Sequence, residues 1–224
     1  NESVRRVLYV KFKMGLFEDP YGERYAHCKM HPQEGVQLSK EISDESVVLL
    51  KNENGLLPLN AEKLRSVAVI GPNADQVQFG DYTWSRNNKD GMTPLAGIRQ
   101  LLGDKVTVRY EKGCSLVSLD TSGIKKAVEV ARQSEVAIVF CGSASAALAR
   151  DYKSSTCGEG FDLNDLNLTG AQSQLIKEVY ETGTPVVLVL VTGKPFTISW
   201  EKKHIPAILT QWYAGEQAGN SIAD

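Results

Sequence analysis

Short, continuously apolar runs alternate with stretches of helical period along most of this chain, and that alternation constrains the fold more than any other feature. Val67-Ala68-Val69-Ile70-Gly71 reads as a strand, as do residues 106–110, 136–140, 185–191 and 205–212. Between them, residues 93–102, 121–134 and 169–182 place apolar side chains at helical spacing, and 217–223 begins a further helix. Thr93 is placed to cap the first of these, with Pro94 at its first position and Gly103 at its end. A strand that is apolar at nearly every position must be covered on both faces. The predicted fold is therefore α/β, a three-layer sandwich with a mainly parallel sheet and helices on both faces. Upstream, residues 1–17 read as an amphipathic helix carrying Val4, Val7, Leu8 and Phe12, stopped by Asp19-Pro20. A second helix runs from Pro32 toward Val48, and Leu56-Leu57-Pro58-Leu59 is an extended apolar piece.

Sheets of this kind place their sites outside the carboxyl ends of the strands. Three loops leave those ends with unusual content: 72–92, 143–167, and the turn that opens Gly193-Lys194-Pro195. The first two exceed the roughly 12–15 residues beyond which an unstructured loop is uncommon. The second carries Ser154-Ser155-Thr156-Cys157-Gly158-Glu159-Gly160-Phe161-Asp162. A carboxylate between two glycines suits a group that must reach a substrate and hand over a proton. On those residues alone, an ordinary surface turn is the simpler reading. The first loop holds Phe79-Gly80-Asp81-Tyr82-Thr83-Trp84-Ser85-Arg86. Tyr82 and Trp84 there form a candidate sugar platform facing Glu159, or else pin the loop to the core. Asp162 reads as a structural acceptor of loop N–H groups.

Several function classes are disfavoured. The formal net charge is −2, with no basic face or tail, so nucleic acid is not expected as a partner. No apolar run approaches the ~20 residues of a membrane span. Cys28, Cys114, Cys141 and Cys157 have neither CxxC spacing nor a disulfide framework. His27, Cys28 and His31 lack a second half-site, so no metal is expected. Gly71-Pro72-Asn73-Ala74-Asp75 has a single glycine and then a proline, which removes an N–H that a phosphate would need. No dinucleotide, Walker or G-x-S-x-G motif occurs, and no cofactor is expected.

Read together, six segments in order resemble glycoside hydrolase family 3, the β-glucosidase and β-xylosidase group. They are the run from Val4-Arg5-Arg6-Val7-Leu8 to Leu16-Phe17, then Glu45-Ser46-Val47-Val48-Leu49-Leu50-Lys51-Asn52-Glu53 with Leu57-Pro58-Leu59, Val69-Ile70-Gly71-Pro72-Asn73-Ala74, Thr93-Pro94-Leu95, Gly158-Glu159-Gly160-Phe161-Asp162 with Gln172, and Trp212 to Asp224. The resemblance implies that residues 1–31 are the tail of a preceding barrel domain and its linker, and that 32–224 form the sandwich domain carrying the acid/base loop. It implies a retaining exo-acting β-glycosidase acting on oligosaccharides or β-glycosides, with Glu159 as general acid/base. Leu163 and Thr169 depart from residues usual in the family. The family's nucleophile is an Asp in a Ser-Asp-Trp-like motif on the barrel, and no such motif stands here. The expected nucleophile therefore lies on the missing N-terminal barrel domain of the same polypeptide, and this fragment alone is expected to be inactive. A non-catalytic carbohydrate-binding or interaction module of the same fold is the alternative. The family leans toward a secreted or periplasmic location.

Overall fold

The computed structural model describes residues 1–23, 26–28, 31–83, 88–145 and 155–224. The chain divides into two compact units, Asn1–Gln37 and Leu38–Asp224. In the first, helix α1 (Glu2–Lys13) buries no residue. Its stripe of Val4, Val7, Leu8 and Phe12 is exposed, and the Phe12 ring packs on Phe17 at 4.3 Å. Helix α2 (Gln33–Ser46) leads into the second unit.

The second unit is built on a six-stranded sheet. In chain order its elements are β1 (Val48–Asn52), β2 (Ser66–Ile70), α3 (Pro94–Leu102), β3 (Thr107–Glu111), α4 (Ile124–Arg132), β4 (Val136–Gly142), α5 (Gln172–Tyr180), β5 (Val186–Val191), α6 (Ser199–His204), β6 (Ala207–Gln211) and α7 (Ala218–Ala223). The sheet order is β1-β6-β5-β4-β2-β3. All neighbours run parallel except β1, which pairs antiparallel with β6 and slips register between Leu49 and Lys51.

The two-residue period of the strands sorts their side chains into two cores. Ala68, Ile70, Val139, Cys141, Leu188 and Leu190 point to one face, under Ile124 and Ala127 of α4 and Leu175 and Ile176 of α5. Val67, Val69, Phe140, Val187 and Val189 point to the other, under Leu95, Ile98 and Leu102 of α3. The extended segment with Leu57 and Leu59 completes that second layer. The sheet is thus covered on both sides, as its uninterrupted apolar strands require. Every residue of β5 is buried. At roughly 1.5–3 kcal/mol for each fully buried large apolar side chain, this central strand contributes more to the core than any edge strand.

Helix α3 begins as its sequence predicts. Thr93 accepts the Ala96 N–H at 3.1 Å, Pro94 follows, and Gly103 ends it at φ 54°. Two elements escape the hydrophobic pattern. Strand β1 lies where helix α2 is expected to end, because Val48, Leu49 and Leu50 are all exposed edge positions without alternation. Helix α6 is a polar six-residue piece, with only Glu201 buried.

Candidate active site

The topology fixes where a site belongs. Strand β2 has β3 on one side and β4 on the other. The connection through α3 returns to β3 over one face, and the connection through α4 passes to β4 over the opposite face. The chain therefore reverses direction across the sheet at β2 and β4, and sheets of this kind bind ligands in the crevice beyond the carboxyl ends at such a point. The loops that leave β2 and β4 are the two long ones singled out in the sequence.

The loop after β2 is stitched down on both sides of its tip. Thr93 Oγ1 donates to Asp75 Oδ1 at 2.9 Å, and Asn88 Nδ2 donates to the Asp75 carbonyl at 3.1 Å. The Val77 N–H reaches Asn88 Oδ1 at 3.0 Å, and the Gly215 N–H reaches the Gln78 carbonyl at 2.9 Å. Between these anchors, the described residues of the tip are 79–83. Tyr82 sits there in the left-handed region, at φ 57°, and is 65% exposed.

The loop after β4 is anchored by buried polar groups. Gln172 is fully buried; its Oε1 accepts the Gly142 N–H at 2.7 Å, and its amide donates to the Gly142 and Leu116 carbonyls at 3.0 and 3.1 Å. Gly142 itself has φ 148°, and a Cβ there would stand 1.9 Å from the Val191 carbonyl oxygen. Thr169 donates its hydroxyl to the Leu116 carbonyl at 2.6 Å, which gives this departure from the usual family residue a role. On the far side, the Tyr213 hydroxyl meets Ser143 Oγ at 2.6 Å and also contacts Cys157 Sγ. Burial foremost, and then the neighbouring thiol, push the Tyr213 phenol far above its usual range, so it stays a neutral hydrogen-bonding group. Lys194 Nζ donates to the Thr156 carbonyl at 2.9 Å.

From this base the chain turns through Gly158 (φ 108°) and Gly160 (φ 77°), conformations open to glycine, and presents Glu159 to solvent between them. The two loops meet there. The Tyr82 hydroxyl donates to Glu159 Oε2, and the Glu159 N–H donates to Asp81 Oδ2 at 2.9 Å. Of the sequence-predicted site residues, Glu159 and Tyr82 are thus brought into direct contact, though 77 positions separate them. Trp84 lies outside the described residues. Asp162 is exposed on the same turn.

Asp81, Tyr213 and Ser143 were not legible as members of this constellation. Asp81 had a local signal, an acid beside a glycine in a polar turn, but its partner is on another loop. Among the described residues no group of three or more His, Cys, Asp or Glu side chains is arranged to hold a metal ion. No helix among them is long and apolar enough to cross a membrane.

Chemically, the arrangement offers one solvent-facing carboxyl with an oriented backbone, one phenol on that carboxyl, and a second carboxylate behind it. That set can give and take a proton. Cys157 is buried against Tyr213 and is not presented as a nucleophile.

Comparisons with known proteins bear on the family and the fold. A β-xylosidase of Formosa agariphila is 33% identical over 231 residues, covering 100% of this chain and 31% of that protein. A periplasmic β-glucosidase of Salmonella typhimurium is 34% identical over 258 residues, covering 100% of this chain and 32% of that protein. The chain thus spans about a third of the length of these curated relatives. Among solved structures, the β-glucosidase of Listeria innocua in complex with isofagomine superposes with a TM-score of 0.82 at 28% identity, covering 100% of this chain and 30% of that one. Residues 47–224 match the glycosyl hydrolase family 3 C-terminal domain, and the chain belongs to that family.

Proposed function

We propose that this chain is part of a retaining, exo-acting β-glycosidase that removes terminal β-linked glucose or xylose, and that Glu159 is its general acid/base. The observation that carries the reading is the placement of Glu159: an exposed carboxyl at the crevice between β2 and β4, met by Tyr82 and Asp81 from the facing loop. The β-xylosidase and β-glucosidase names of the relatives supply the reaction class. In this reading residues 1–31 end a preceding barrel domain and its linker. That barrel carries the carboxylate nucleophile and most of the sugar pocket, and residues 32–224 bring the acid/base loop to it. The exposed ring of Tyr82, with Trp84 beside it in sequence, borders the leaving-group side.

Retaining glycosidases need two carboxyl groups about 5–5.5 Å apart. In the first step the nucleophile attacks the anomeric carbon while the Glu159 carboxyl gives its proton to the departing glycosidic oxygen. In the second, the Glu159 carboxylate takes a proton from water as that water attacks the glycosyl-enzyme and releases the nucleophile. A carboxyl that donates near neutrality needs burial or neighbouring negative charge to hold its proton. A domain docked over the Glu159 loop would supply that burial. The isolated fragment holds only half of this machinery and is expected not to turn over aryl β-glycosides.

The test is Glu159→Gln in the full-length protein. kcat/KM for a disaccharide, whose leaving group needs protonation, is expected to fall roughly 10²–10⁴-fold. kcat/KM for a dinitrophenyl glycoside, whose leaving group does not, is expected to change little. Equal losses on both substrates would remove Glu159 from the acid role.

A further inference from the structure

Tyr82 is an anomaly on its loop. A bulky side chain at φ 57° is rare, and such a conformation persists only where its surroundings hold it. Its ring is mostly exposed, so core packing does not hold it there. What the conformation accomplishes is to aim the hydroxyl at Glu159 Oε2. The residue before it does a complementary job: Asp81 Oδ2 accepts the Glu159 backbone N–H at 2.9 Å. Two consecutive residues of one loop thus grip the backbone and the carboxyl of a single residue on the other.

That grip matters because Glu159 makes few other contacts among the described residues. Gly158 and Gly160 flank it, and a Cβ added at Gly160 would meet nothing within 4 Å. A carboxyl between two exposed glycines samples many orientations, and only a narrow set serves a proton transfer. We infer that Asp81 and Tyr82 are positioning residues for Glu159: Asp81 fixes the backbone of the turn, and the Tyr82 hydroxyl selects the carboxyl rotamer and leaves the second oxygen, Oε1, directed to the glycosidic bond. This rests on the acid/base reading of Glu159. It assigns the Tyr82 hydroxyl, as distinct from its ring, to proton transfer rather than to sugar stacking.

The experiment uses the full-length enzyme and a disaccharide beside a dinitrophenyl glycoside, with Glu159→Gln run in parallel. Tyr82→Phe keeps the ring and removes only the hydroxyl. It is expected to lower kcat/KM for the disaccharide about 10-fold, with the dinitrophenyl glycoside slowed less than about 2-fold. Asp81→Ala is expected to reproduce that leaving-group dependence. Asp81→Asn keeps an oxygen acceptor for the Glu159 N–H and should recover most of the loss. If Tyr82→Phe is indistinguishable from wild type, the residue acts through its ring and the inference fails. If Tyr82→Phe and Asp81→Ala slow both substrates alike, they support the loop in general and it fails again. If Glu159→Gln itself shows no leaving-group dependence, the acid/base reading falls first.

Discussion

Gln172 and Glu159 flank one stretch of the loop after β4, and they are held in opposite ways. Gln172 is fully buried, and its amide closes on both the N–H and the carbonyl of Gly142, like an added rung of sheet. Glu159 is exposed, sits between glycines, and is steadied by two contacts from a neighbouring loop. The comparison separates two requirements. The base of the loop must not move, so it uses buried hydrogen bonds, which are costly to break. In the proposed acid/base role the tip meets substrate and a partner domain, and it is accessible and guided by exchangeable surface contacts.

The difference can be sharpened by substitution at each level. Gln172→Leu strands the Gly142 N–H and carbonyl in buried surroundings. It should lower the unfolding free energy by about 3 kcal/mol or more in urea denaturation; a loss under about 1 kcal/mol would mean that the base is not the rigid part. Tyr213→Phe removes one hydroxyl shared by Ser143 and Cys157 and should cost about 1–2 kcal/mol in the same assay. A separate effect is expected at alkaline pH. Burial raises the Cys114 thiol from 9.0 to about 11. The stability owed to its neutral form is full below pH 9 and is lost as pH rises through 11, so Cys114→Ala should flatten the pH profile of the melting temperature across that window. At the tip, Glu159→Gln should change stability by no more than about 0.5 kcal/mol, as for an exposed residue outside any packed network. A large loss there would erase the distinction between base and tip.

Much of this was legible in the sequence because it is encoded by local pattern. The uninterrupted apolar run 185–191 fitted a doubly covered strand best, and Thr93-Pro94 to Gly103 marked both ends of a helix. Glu159 stood out because its two glycines announce an unusual backbone. Strand β1 was not legible: as an edge it is exposed on successive residues and carries no alternation. Nor was the Asp81–Tyr82 grip, since a contact across 77 or 78 positions leaves no trace in either local stretch. Tyr82 was readable as an aromatic near a sugar site, but the direction of its hydroxyl depends on a left-handed backbone that no tyrosine signals by itself.

The most direct test of the acid/base assignment is azide rescue of Glu159→Ala in the full-length protein, with a dinitrophenyl glycoside as substrate. Azide attacks the anomeric carbon of the glycosyl-enzyme without needing a base to remove a proton, and it displaces the enzyme carboxylate. Added azide is expected to raise kcat at least several-fold, with the β-glycosyl azide, of retained configuration, as product; the acid/base assignment requires both. No acceleration by azide, with hydrolysis of every substrate equally slowed, would contradict it.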